Sequence, residues 1–158
     1  MTFIDLFAGI GGFRYALSSF GCKCVFSSEW DKYCRESYNL NFGETPYGDI
    51  TIIDEKDIPK FDILCAGFPC QPFSISGKQK GFDDTRGTLF FDIVRIVCYH
   101  KPKIIFLENV KNLKAHNGGA TFEVISNTLN ELNYNIYYKV LNAKDFGLPQ
   151  NRERITIV

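Results

Sequence analysis

Apolar positions along this chain switch repeatedly between continuous short runs, which suit strands, and i, i+3, i+4 spacings, which suit helices. Phe3, Ile4, Leu6 and Phe7 form a first run that ends at Gly9. Phe13, Ala16, Leu17 and Phe20 follow at helical spacing, and Gly21 stops that helix. Residues 24–28 read as a second strand, and 31–40 as a helix with Asp31 as its N-cap. A third, short strand is expected near Tyr47. Residues 61–66 are apolar again and run into Gly67. Thr88 is placed to cap a helix whose Phe90, Ile93, Val94 and Val97 share one face, and Lys101-Pro102 ends it. Residues 103–108 carry the clearest buried strand. Gly118-Gly119 then precedes a helix with Phe122, Ile125, Leu129 and Leu132, and strands over 135–141 and 154–158 follow.

Strands alternating with helices need crossover connections, which make them parallel in one sheet with helices on both faces. The last two strands have no helix between them, so a terminal antiparallel strand is expected. The 158 residues suit one domain with one core, and no repeat or linker interrupts them. The longest irregular stretch is 67–87; a loop of that length in a compact domain is usually functional.

Composition narrows the classes without choosing one. Hydrophobic residues make up 45% and charged residues 23%, as in ordinary globular proteins. No apolar run is long enough to span a bilayer and the first residues lack the basic start of a secretory signal, so a cytoplasmic protein is expected. Eighteen basic residues balance eighteen acidic ones, which neither favours nor excludes nucleic acid. Six cysteines occur without a CxxC pair, so no metal site is expected. His100 and His116 read as surface or helix-end residues.

Candidate chemistry gathers at the ends of the strands, where open α/β sheets bind ligands. Cys70 lies just past a strand, bracketed by Pro69 and Pro72, which keep it out of helix and sheet. Cys65, inside the apolar run, is a core thiol by contrast. Gly9, Gly11 and Gly12 between the first strand and helix let backbone approach a ligand closely. Glu29 and Asp49 follow the second and third strands, and Glu108 ends the strand before Asn109. Arg152 and Arg154 alternate onto one face. Each also has a plain structural reading: a packing thiol, a tight turn, a solvated carboxylate, a surface salt bridge.

Four segments change that balance. Asp5-Leu6-Phe7-Ala8-Gly9-Ile10-Gly11-Gly12-Phe13, Gly67-Phe68-Pro69-Cys70-Gln71-Pro72-Phe73-Ser74, Glu108-Asn109-Val110 and Gln150-Asn151-Arg152-Glu153-Arg154 together resemble, in order and spacing, the cytosine-C5 DNA methyltransferases. The resemblance implies a Rossmann-like S-adenosylmethionine-dependent methyltransferase fold over 1–158. It implies Cys70 as the nucleophile, Glu108 on the N3 and exocyclic amine edge of cytosine, and Arg152 and Arg154 steadying the base carbonyl, the thiolate loop or phosphate. S-adenosyl-L-methionine is the implied cofactor. Phe7, Gly9 and Gly11 would surround its methionine, Glu29 its ribose, Trp30 and Asp49 its adenine, with Ile50, Pro69 and Leu89 on the walls.

Double-stranded DNA is the implied partner. A flipped-out base would be covered by the loop from Gln71, with Gln71, Ser74, Ser76, Lys78, Lys80 and Arg86 on DNA. The resemblance also implies a bacterial or phage restriction–modification setting and a nucleoid association, with no membrane and no metal. Family members continue into a target-recognition region and a final helix that helps close the cofactor site, so a second chain carrying target recognition is one expectation. A tRNA cytosine as acceptor, or a non-catalytic S-adenosylmethionine-binding subunit, are the competing readings.

Overall fold

Phe3, Ile4, Asp5 and Leu6 have no exposed surface at all, which marks β1 (Thr2–Leu6) as a strand covered on both faces. The computed structural model describes residues 1–69 and 89–158. After β1 come α1 (Gly12–Ser19), β2 (Lys23–Ser28), α2 (Lys32–Phe42), β3 (Ile63–Gly67), α3 (Leu89–His100), β4 (Ile104–Val110), α4 (Ala120–Glu131), β5 (Tyr138–Asn142) and β6 (Glu153–Ile157). The strands hydrogen-bond in the order β2-β1-β3-β4-β6-β5. β1 pairs in parallel with β2 and β3, while β6 is antiparallel to both β4 and β5. The expected α/β fold with a reversed terminal strand is therefore present. The described residues fall into two compact units, Met1–Gly67 with Arg95–Phe106, and Phe68–Val94 with Leu107–Val158.

In the first unit, the pleat of β1 and β3 sends alternate side chains to opposite faces. Phe3, Cys24, Ile63 and Cys65 share one face and take Phe13 and Leu17 of α1, with Phe106 edge-on to Phe13 at 5.1 Å. Ile4, Leu6, Leu64 and Ala66 fill the other face and are fully buried. Each such aliphatic or aromatic side chain stabilises the fold by about 1.5–3 kcal/mol relative to exposure. α2 begins as the sequence predicts, with Asp31 Oδ1 accepting from the Cys34 amide at 2.8 Å.

The second unit pairs Leu107 with Ile157 and Asn109 with Ile155 across β4 and β6. Ile155, Ile157, Leu113, Ile125 and Leu129 are buried there, and Phe122 of α4 meets Tyr138 edge-on at 4.8 Å.

Several expectations need correction. Tyr47 makes one isolated parallel bridge to Ser28 rather than a strand, because the chain turns at once into 3-10 turns at Ile50–Ile52 and Glu55–Asp57. Phe20 is not on the packed face of α1: it is the C-cap and 84% exposed. β4 does not stop at Glu108 but runs to Val110, with only alternate residues fully buried. β5 starts three residues later than expected, at Tyr138. The Thr88 cap and nearly all of the 67–87 loop lie outside the described residues.

Candidate functional site

β1 ends in a turn whose shape the sequence dictates. Phe7, Gly9 and Gly11 have φ of 56°, 55° and 95°. Glycine adopts this left-handed backbone freely, whereas Phe7 holds it at a cost of order 1–3 kcal/mol, a strain that clusters at ligand sites. The turn is tied down from several sides. Ala8 N donates to Ser28 O at 3.0 Å, and Gly9 N donates to Glu29 Oε2 at 2.8 Å. Asn41 Nδ2 donates to Ile10 O at 3.2 Å.

Gly9 and Gly11 differ in what surrounds them. Beside Gly9 there is open space where a side chain would project, so the backbone there is free to approach a ligand. A Cβ on Gly11 would collide with the Phe42 ring of α2. A side chain at Gly11 would thus be strained by the left-handed backbone and would have to displace the Phe42 ring.

Glu29, at the end of β2, is only 8% exposed and both of its oxygens are engaged. Oε1 accepts from the Asp31 amide at 2.9 Å while Oε2 takes Gly9. Each oxygen keeps a further lone pair for a hydroxyl. Trp30 beside it is 77% exposed, an uncovered indole face. Asp49 caps the 3-10 turn through Oδ1, which accepts from Thr51 N at 3.0 Å, and Ile50 next to it is buried.

Asp5 opens the first of the four motifs, but no role of its own was legible in the sequence. It is wholly buried, and burial pushes its carboxyl up to about 8 against the opposing backbone amide and charge of Arg14. Burial likewise pushes the Cys65 thiol up, so it behaves as an inert core residue.

In the second unit, Glu108 and Arg154 are brought together: Arg154 Nε lies 2.9 Å from Glu108 Oε1, with both side chains about 30% exposed. The register explains it, since Arg154 is opposite Val110 and Thr156 opposite Glu108, which makes the two charged residues diagonal neighbours. Arg154 also donates through Nη1 to Glu153 O at 2.8 Å. Arg152 stays apart from this pair. It precedes β6, is exposed, and is fixed through its backbone, with its amide donating to Asn142 Oδ1 at 3.1 Å. The intervening Glu153 pairs with Lys111 at 2.7 Å on the surface.

Asn109 stands in the Glu108-Asn109-Val110 motif, where residue type and position assigned it no role of its own. It is buried, and its Nδ2 donates to Phe68 O at 2.8 Å while its Oδ1 accepts from Val110 N. Phe68, whose carbonyl Asn109 holds, is two residues before Cys70. A polar residue following an apolar strand was the available signal. Pro69 is exposed and Leu89 half-buried at the start of α3. Cys70, Gln71, Ser74, Ser76, Lys78, Lys80 and Arg86 lie outside the described residues. Among the described residues, no group of three His, Cys, Asp or Glu could hold a metal, and no helix is long and apolar enough to cross a membrane.

The six-stranded, mostly parallel α/β sheet with its glycine turn after β1 is that of a Rossmann-like methyltransferase fold. The sequence model of the C-5 cytosine-specific DNA methylases matches residues 1–158, and the chain belongs to that family. It is 65% identical over 158 residues to the type II methyltransferase M.HhaI of Haemophilus parahaemolyticus, covering 100% of this chain and 48% of that protein. It is 64% identical over 155 residues to M.HaeII of Haemophilus aegyptius, covering 98% and 49%. The crystal structure of the Dnmt2 methyltransferase of S. pombe superposes with a TM-score of 0.77 at 26% identity, over 99% of this chain and 50% of that one. The chain thus spans about half the length of the curated relatives it matches.

Proposed function

We propose that this chain is the catalytic part of an enzyme that transfers a methyl group from S-adenosyl-L-methionine to C5 of cytosine in double-stranded DNA. The observation that carries the reading is the Arg154–Glu108 pair, which orients a carboxylate next to Asn109, whose side chain holds the Phe68 carbonyl two residues before Cys70.

The residues present fit the cofactor. Gly9 leaves open space at a left-handed turn, Glu29 has lone pairs for ribose hydroxyls, Trp30 offers a bare aromatic face, and Asp49 carries an acceptor for the adenine amine. Phe7, Gly11, Ile50, Pro69 and Leu89 are assigned to the cofactor by the family resemblance. The cofactor supplies an electrophilic methyl group on a sulfonium.

Cytosine C5 is too weak a nucleophile to take that methyl unaided. The Cys70 thiolate adds to C6 of the base, which turns the ring into an enamine with electron density at C5. Glu108 accepts from the exocyclic amine and from N3–H of the protonated ring, favouring the addition. Arg154 fixes the Glu108 carboxylate in that role, and Arg152 and Arg154 are assigned to the base carbonyl or a nearby phosphate. After C5 is methylated, a base removes the C5 proton, the C6–sulfur bond breaks, and its electrons return to Cys70. Gln71, Ser74, Ser76, Lys78 and Arg86 are assigned to DNA contacts around the flipped base, whose extrusion costs roughly a few kcal/mol.

The test is a covalent trap. In the enzyme that carries this chain, duplex DNA containing 5-fluorocytosine is expected to form an adduct that maps to Cys70 and vanishes in Cys70→Ser. A folded, cofactor-binding enzyme that forms no adduct would identify a non-catalytic binding subunit. A preference for tRNA over DNA in competition would reassign the acceptor.

A further inference from the structure

The segment that carries Asp49 and Ile50 has little structure of its own. It consists of two three-residue 3-10 turns, Ile50–Ile52 and Glu55–Asp57, each capped by the aspartate before it. Turns this short contribute few internal hydrogen bonds, so their position has to be fixed from outside.

Arg95 on α3 does this. Its Nη2 donates to Ile50 O at 2.6 Å, and its Nη1 donates to Ile53 O at 2.9 Å and to Glu55 Oε2 at 2.9 Å. Five residues further along the helix, His100 Nε2 lies 2.8 Å from Glu55 O, as its protonated nitrogen must to bond a carbonyl. Three of these four contacts go to backbone carbonyls, so what they fix is the path of the main chain. Ile50 and Ile58, near either end of the strip, are both 3% exposed and pin it further.

We propose that Arg95 is a positioning residue for adenine recognition. By holding Ile50 O and Ile53 O it sets the backbone that presents Asp49 to the exocyclic amine of the cofactor. The inference rests on the assignment of Asp49 to the adenine amine of the cofactor. A guanidinium is needed because its rigid fork reaches two carbonyls and a carboxylate at once, whereas an ammonium offers a single point of charge.

The experiment compares S-adenosylhomocysteine with S-inosylhomocysteine, in which a carbonyl replaces the amine, by calorimetry on the full enzyme carrying this chain. The wild type is expected to prefer the adenine compound. Arg95→Met should weaken that compound by about tenfold, the scale of one lost positioning interaction, and bring the two ligands to near-equal affinity. Arg95→Lys should recover part of the preference, and Glu55→Gln, which spares both carbonyl contacts, should retain most of it. Global loosening would lower the melting temperature and weaken both ligands together, leaving their ratio unchanged; that outcome in Arg95→Met overturns the proposal. Should Arg95→Met not fold, an undiminished ratio in Arg95→Lys does the same. A wild type that binds both ligands equally, or neither, instead removes the assignment of Asp49 and with it the role of Arg95.

Discussion

Arg154 Nε stands 2.9 Å from Glu108 Oε1, a diagonal pairing set by the antiparallel register of β6 against β4. The pair is partly solvated, so it contributes no more than about 1 kcal/mol to folding. Its value is in orientation. Arg154→Met should therefore leave the denaturation midpoint nearly unchanged while lowering the methylation rate by about 100-fold, with Arg154→Lys intermediate. Single-turnover kinetics beside urea melts would separate the two; a large stability loss with normal chemistry would contradict the assignment.

Gly11 is caught between a left-handed backbone and the Phe42 ring. Gly11→Ala should destabilise the chain by about 2–3 kcal/mol through combined strain and overpacking. Adding Phe42→Ala should relieve the collision but not the backbone strain, so the double variant recovers less than the collision and strain together. Denaturant titration of all four proteins measures this. Gly9→Ala, with open space beside it, should cost less.

Asp5 gives stability a pH slope. Burial raises its carboxyl from 3.8 to about 8, so between those values the unfolded chain has ionised while the folded chain keeps the proton. The folded state then binds more protons, and stability falls as pH rises through that window. The contribution is fully present below about pH 4 and lost by about pH 8. Asp5→Asn, which mimics the protonated acid, should flatten this slope; thermal melts from pH 4 to 9 would show an unchanged slope if Asp5 is ionised in the fold.

Asn109 closes a buried hydrogen bond to Phe68 O. Asn109→Ala leaves that carbonyl unpartnered and should cost about 1–3 kcal/mol. Because the carbonyl lies two residues before Cys70, adduct formation with 5-fluorocytosine DNA should slow as well. Wild-type adduct kinetics in a protein destabilised to that extent would confine Asn109 to a structural role.

Local pattern carried most of the architecture. The apolar runs at β1, β3 and β4 and the Asp31 cap were readable because their causes lie within a few residues. What escaped was fixed at long range. The 3-10 turns after Asp49 take their shape from Arg95, more than forty residues away, and nothing near Tyr47 announces that its pairing stops at one bridge. Phe20 continued a helical spacing that the helix itself did not, since the chain leaves α1 at Ser19. For the site, residue types and order singled out Glu108 and Arg154 as candidates. Their mutual contact required the register of β4 and β6, which no single segment encodes. Asn109 and Asp5 went unassigned because burial turned ordinary polar residues into constrained ones.

Glu29 keeps both carboxylate oxygens on main-chain amides, one from the glycine turn and one from the start of α2. A turn held this way does not depend on a small molecule for its shape. On the proposed assignment, the departure of a spent cofactor would therefore leave the turn already in shape for the next one.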